Sequence, residues 1–193
     1  AGGASRAFAD IGSHLVDLIE FVTDDRIERI NAVKRTVVPS RVENESVSTE
    51  DLVAAVFTTT AGVAGTLLVS QVAPGRKNRL AIEISGTDET IGFDQEQPET
   101  LWLGRRSGTQ ELPRDSEQLS PDATRLCHLP AGHPLGYQDA FNSFVADAYA
   151  AISGEEPEGL PTFADGERAV AVTEAVMRSA ATGEWVVIEE VEG

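Results

Sequence analysis

The sequence predicts an α+β fold: a predominantly antiparallel open sheet with about three helices on one face, the other face being available for oligomerisation. Two observations carry this. Apolar residues recur at helical spacing near the start of the chain and twice toward its end, and the stretch between holds short β-rich runs of period two parted by turns. At 193 residues the chain is long enough to bury a core without disulfides or metal, and it reads as a single domain over 1–193.

Each element has its own signal. Ile11, Leu15, Leu18, Ile19 and Val22 fall at helical spacing, while Asp10, His14 and Asp17 line a neighbouring stripe. Thr23-Asp24-Asp25 turns the chain into an alternating strand over 27–38 that ends at Pro39, and 41–49 is a polar loop. Runs over 52–60 and 63–72, split by Ala61-Gly62, have the spacing of an antiparallel hairpin. A turn over 73–79 carries Arg76, Lys77, Asn78 and Arg79, and Leu80, Ile82 and Ile84 then alternate as the next strand. Residues 90–94 form a further strand, Pro98 breaks it, and Leu101-Trp102-Leu103 is a short hairpin arm. Residues 104–131 are polar and proline-dotted, a long functional or mobile loop.

Tyr137, Phe141, Phe144, Val145, Ala148 and Ile152 mark a second helix stopped by Gly154, with Tyr137 expected to anchor it in the core. Thr162 and Asp165 resemble a helix cap, after which Val170, Thr173, Val176, Met177 and Ala180 carry an apolar stripe to Gly183. Residues 185–188 are a last strand, and the acidic tail after them is a frayed strand end.

Charge and cysteine content narrow the partners. With 32 acidic against 15 basic residues the net charge is −17, which makes contact with nucleic acid unfavourable. Acidity of this degree mainly gives a solvated surface. Lone Cys127 permits no internal disulfide and fits a reducing compartment. No run of eighteen apolar residues and no charged-then-apolar leader occurs, so the expectation is a cytoplasmic protein with no membrane role.

The first helix also carries a resemblance. Gly2-Gly3-Ala4, followed by Asp10-Ile11-Gly12-Ser13-His14 and Asp17, resembles the start of the C-terminal domain of the Gfo/Idh/MocA oxidoreductases, nicotinamide-dependent dehydrogenases and reductases of sugars and polyols. Gly132-His133-Pro134-Leu135-Gly136-Tyr137-Gln138-Asp139-Ala140-Phe141 and Pro161-Thr162-Phe163-Ala164-Asp165-Gly166 fit the same pattern, so the likeness spans nearly the whole chain. Sugar dehydrogenases of the levoglucosan and inositol kind look nearest. The Gly-x-Gly-x-x-Gly turn and the Glu-Lys-Pro motif that supplies the family's catalytic lysine are both missing. The resemblance therefore implies an N-terminal Rossmann half outside this sequence that binds NAD or NADP, a fragment inactive alone, and a homodimer or tetramer formed through the sheet face.

The expected chemistry follows. Oxidising a secondary alcohol of a sugar or polyol needs a base for the hydroxyl proton, and His14 is the candidate. Asp10, one turn earlier, is placed to accept one ring N–H and leave the other nitrogen free. Asp17 continues the stripe either as a site residue or as a helix-surface hydrogen bond. His133, in a rigid turn before a helix, and by resemblance near the substrate, is a candidate for a sugar hydroxyl, as are Asn78 and Gln95. Trp102 stacks on a sugar face or packs in the core. Two other classes remain open: a metal-dependent hydrolase or isomerase with Asp10, His14, Asp17 and His133 as ligands, and a noncatalytic dimerisation module.

Overall fold

The computed structural model describes residues 3–40 and 46–189. Gly2 of the first motif, residues 41–45 of the expected polar loop and the acidic tail beyond Glu189 lie outside the described residues. The chain divides into two compact units, Ala1–Gly75 with Pro161–Gly193, and Arg76–Leu160. The α+β class holds, but among the described residues the strands form two antiparallel sheets of four rather than one. Pairing in the first sheet ends at Ser70 and resumes in the second at Ala81, across a stretch holding Pro74 and Gly75 (φ 90°) that cannot continue a ladder.

The first unit opens with a π-helical turn, Phe8–Gly12, running directly into α1 (Ser13–Thr23). Strands β1 (Ile27–Arg35), β2 (Leu52–Thr59) and β3 (Ala64–Ser70) follow, then α4 (Phe163–Thr182) and β8 (Val186–Val187), in the sheet order β3-β2-β1-β8. One sheet face is covered. Ile30 and Ala32 of β1, Val53, Ala55 and Phe57 of β2 and Leu67 and Val69 of β3 are all buried, and α4 contributes Val172, Ala175 and Val176 to the same core. Gly65 makes room for this layer, because a Cβ there would collide with the Phe57 ring. The opposite face leaves Val33, Val56, Leu68 and Val187 exposed.

Two polar devices lock the helices to the sheet. The buried Arg168 of α4 donates to Glu20 of α1 (Nη2 to Oε1, 2.8 Å) and to the Ile27 carbonyl (2.6 Å), while Glu20 Oε1 accepts the Ile27 amide at 2.9 Å. Fully buried Ser179 accepts the Ala32 amide at 2.9 Å and donates to the Glu184 carbonyl at 2.6 Å. The expected cap on α4 is present: Asp165 Oδ2 accepts both the amide and the hydroxyl of Thr162 (2.6 and 2.7 Å). Gly183, at φ 77°, closes the helix in the left-handed conformation that favours glycine.

The second unit holds β4 (Ala81–Ser85), β5 (Glu89–Asp94), β6 (Thr100–Arg105) and β7 (Gly108–Pro113) in sequential antiparallel order, then α2 (Pro121–Arg125) and α3 (Tyr137–Ile152). Strand β7 and helix α2 fall within the stretch expected to be loop. Every residue of β7 is exposed, so no apolar alternation marked it, and α2 is one short turn capped by Ser120 Oγ on the Ala123 amide. Tyr137 does not anchor α3 in a core: it is 79% exposed and rests against Phe141, with ring centroids 4.7 Å apart.

Candidate active site

The entry to the first helix is held from a distance. Glu50, 1% exposed, brings Oε1 to the Ser5 hydroxyl (2.8 Å) and to the amides of Arg6 (2.9 Å) and Phe8 (3.0 Å), supplying acceptors where a helix start leaves its own amides unpaired. Burial raises this carboxyl's pKa, but the Phe8 and Arg6 amides and the Ser5 hydroxyl outweigh it and hold the group below the usual carboxylate range. Buried Asp51 takes the Arg6 guanidinium at 2.7 Å and the Val38 amide at 2.8 Å. The two acids at the start of β2 thereby fix the loop that precedes Asp10.

The π-helical turn changes what a four-residue spacing means. The Ser13 amide donates to the Phe8 carbonyl five residues back, so the segment carrying Asp10 is wound more widely than the α-helix that carries His14. Gly12 sits within it because a Cβ there would lie 2.7 Å from Cδ2 of the buried Phe8 ring. Asp10 is exposed, and its Oδ2 accepts Gln71 Nε2 at 2.8 Å. Its partner here is thus the amide at the end of β3, not the imidazole. Oδ1 of Asp10 accepts no hydrogen bond among the described residues. Gln71 is itself fixed, since its amide donates to the Asp51 carbonyl (2.9 Å), while its buried Oε1 has no partner among the described residues.

His14 is exposed on the first turn of α1, and its ring makes no hydrogen bond among the described residues. Asp17, one turn on, has its pKa raised by partial burial and by repulsion from Asp165 and Glu20, with the His14 ring pulling the other way. Among the described residues the first unit therefore presents an imidazole without a hydrogen bond, a carboxylate held through one oxygen, and an acid whose pKa is raised.

The other predicted residues lie in the second unit. Gln95 Nε2 donates to the Asn78 carbonyl at 3.1 Å, which brings these two together. The neighbouring bases balance local acids, Arg76 with Glu96 and Arg79 with Asp94, both at 3.1 Å. His133 is exposed, its ring makes no hydrogen bond among the described residues, and its carbonyl accepts Arg114 Nη2 at 2.6 Å. Arg114 also pairs with Glu99 at 3.0 Å, and Glu99 accepts the Leu135 amide, so one ion pair sets the turn that carries His133.

Glu50, Asp51 and Gln71 are the residues that the sequence reading missed. The one available signal was a pair of acids immediately before an apolar β run. Among the described residues no three His, Cys, Asp or Glu side chains gather as a metal-ligand set, and no helix is long and apolar enough to cross a membrane.

Known proteins give this geometry its family. Residues 1–92 match the model of the GFO/IDH/MocA C-terminal domain. That part, just under half of the chain, is similar to this family. A levoglucosan dehydrogenase from Pseudarthrobacter phenanthrenivorans is 24% identical, the match covering 97% of this chain and 53% of that relative. An oxidoreductase domain protein from Kribbella flavida superposes with a TM-score of 0.84 at 30% identity, over 96% of this chain and 52% of the other. Levoglucosan dehydrogenase in complex with NADH and levoglucosan superposes with a TM-score of 0.84 at 25% identity, over 97% of this chain and 51% of the other. The chain thus spans about half the length of these relatives. The Asp10 and His14 edge lies within the 92 residues matched to the family.

Proposed function

We propose that this chain is the C-terminal, substrate-binding part of a cytoplasmic NAD(P)-dependent oxidoreductase that acts on a secondary alcohol of a sugar or polyol. The observation that carries the reading is the exposed imidazole of His14, without a hydrogen bond among the described residues, four residues on from an Asp10 carboxylate already held by Gln71. His14 takes the hydroxyl proton as the carbon–oxygen bond becomes a carbonyl. Asp10 keeps Oδ1 for a ring N–H, which steadies the imidazolium that forms; such contacts often tighten only when substrate binds. A nicotinamide held elsewhere in the protein would supply the acceptor for the hydride that leaves the same carbon. The described residues do not by themselves fit a dinucleotide, because every strand pairing is antiparallel and no glycine turn leads from a parallel strand into a helix to cradle its pyrophosphate. Cofactor binding is therefore assigned to the half outside this chain.

His133, Asn78 and Gln95 are assigned to sugar hydroxyls, the kind of contact that exposed ring nitrogens and amides make well. The assay is nicotinamide reduction by the protein with both halves present, offered NAD or NADP and a panel of anhydrosugars, aldoses and inositols. Reduction with at least one member and either cofactor is expected. A panel without any reduction contradicts the assignment.

The exposed sheet face of the first unit is assigned to self-association, since Val33, Val56, Leu68 and Val187 form an apolar surface that water does not favour. Leu68, 65% exposed, is the residue to change. Leu68→Lys is expected to shift the sedimentation of the intact protein toward a lighter species, and unchanged sedimentation counts against this face.

A further inference from the structure

One face of the second sheet carries an exposed indole set between carboxylates. Antiparallel register places Glu83 of β4, Gly92 of β5, Trp102 of β6 and Glu111 of β7 side by side in one row, whose side chains emerge on the same face. Trp102 is 38% exposed and leans along its own strand over Gly104, where any Cβ would collide with the indole. A Cβ at Gly92 would stand 3.5 Å from the ring edge, so two glycines clear the floor on which the indole lies. An open groove of about 450 Å³ runs over the row.

The charges around this groove do not balance. Its acids are Glu83, Asp94 and Glu111, and the base lining it is Arg79, which already donates to Asp94 (Nε to Oδ2, 3.1 Å). Glu83 and Glu111 are exposed and make no hydrogen bond or ion pair among the described residues. Two uncompensated carboxylates therefore stand at the ends of the row, three strand spacings or about 14 Å apart at the backbone. Anions are repelled, and a neutral ligand leaves both charges unanswered. An organic cation is attracted twice, by the carboxylates and by the negative face of the indole. A single ammonium group can sit against only one end. An extended chain with an ammonium at each end answers both, its methylenes lying on the indole and over Gly92, where no side chain stands in the way.

We propose that the Trp102 row binds a linear diammonium ion, of the diamine or polyamine class. A net charge of −17 attracts any polycation diffusely, so binding at the row is recognised by its dependence on chain length and on these two carboxylates. The test titrates the 193-residue chain carrying Trp185→Phe, which leaves Trp102 as its single tryptophan, in about 0.15 M sodium chloride to screen the diffuse attraction. Emission is followed with 1,8-diaminooctane, putrescine, octylamine and 1,8-octanediol.

A saturable change with 1,8-diaminooctane is expected, with putrescine and octylamine binding about threefold more weakly, since each reaches one carboxylate only, and the diol giving no change. Glu83→Gln combined with Glu111→Gln should weaken the long diamine by about tenfold, the loss of two exposed ion pairs. Glu155→Gln combined with Glu156→Gln removes equal charge from residues that do not line the groove, and should change its affinity by less than about twofold. Calorimetry on Trp102→Leu, with folding checked by circular dichroism, should show weaker binding of the same diamine. Five results overturn the proposal: no saturable response to the long diamine, an equal response to the diol, equal affinity for putrescine or octylamine, equal losses in the two double variants, or undiminished binding in a folded Trp102→Leu chain.

Discussion

Replacing His14 with alanine in the protein with both halves present is expected to lower kcat by about 10²- to 10⁴-fold, the range that a positioned proton acceptor contributes. The loss should fall on kcat more than on KM, because the imidazole makes its strongest interaction only as the proton moves. The fold should survive. His14 is exposed, and its ring supports no other residue through a hydrogen bond among those described, so stability is expected to change by less than about 0.5 kcal/mol. Steady-state kinetics beside a denaturant melt separate the two effects. Turnover within twofold of wild type in a folded variant removes His14 from the mechanism.

Glu50→Ala carries the largest expected effect on stability. One oxygen of this buried carboxylate serves the Ser5 hydroxyl and the amides of Arg6 and Phe8, so truncation leaves three donors without an acceptor. A loss of about 3 kcal/mol is expected, from the cost of stranding buried donors that had been bonded to a charge. Urea denaturation measures it directly. Activity should fall with it, because the loop that Glu50 ties down leads into Asp10.

The pH dependence has a definite sign. The Glu50 pKa is lowered in the folded chain, so its stabilisation is fully present above the ordinary glutamate value and is lost as pH falls through the folded value. The difference in stability between wild type and Glu50→Gln should therefore shrink in acid. A difference that is constant from neutral to acidic pH contradicts this role.

What the sequence made legible was whatever repeats along the chain. Helical spacing located α1, α3 and α4, the Thr162 and Asp165 pair marked the start of α4, and alternation located the strands of the first sheet. Strand β7 escaped because a strand exposed along its whole length has no apolar period to read. The π-helical turn escaped for another reason: Glu50, more than forty residues away, supplies the acceptor for the Phe8 amide at its start, a contact that local propensity does not show. The same limit applied at the site. Asp10 and His14 could be nominated because they lie only four residues apart, whereas Gln71, which bonds Asp10, lies 61 residues further along. Arg168 and Glu20, 148 residues apart, are a second pairing that only the fold creates.

The most direct test of proton transfer at this edge is nicotinamide reduction by the two-half protein carrying His14→Gly, measured with and without added imidazole. Near silence alone, and saturable recovery when free imidazole fills the vacated position while wild type is unaffected, is the expected result. Reduction at the wild-type rate without imidazole would mean that the proton leaves by another route.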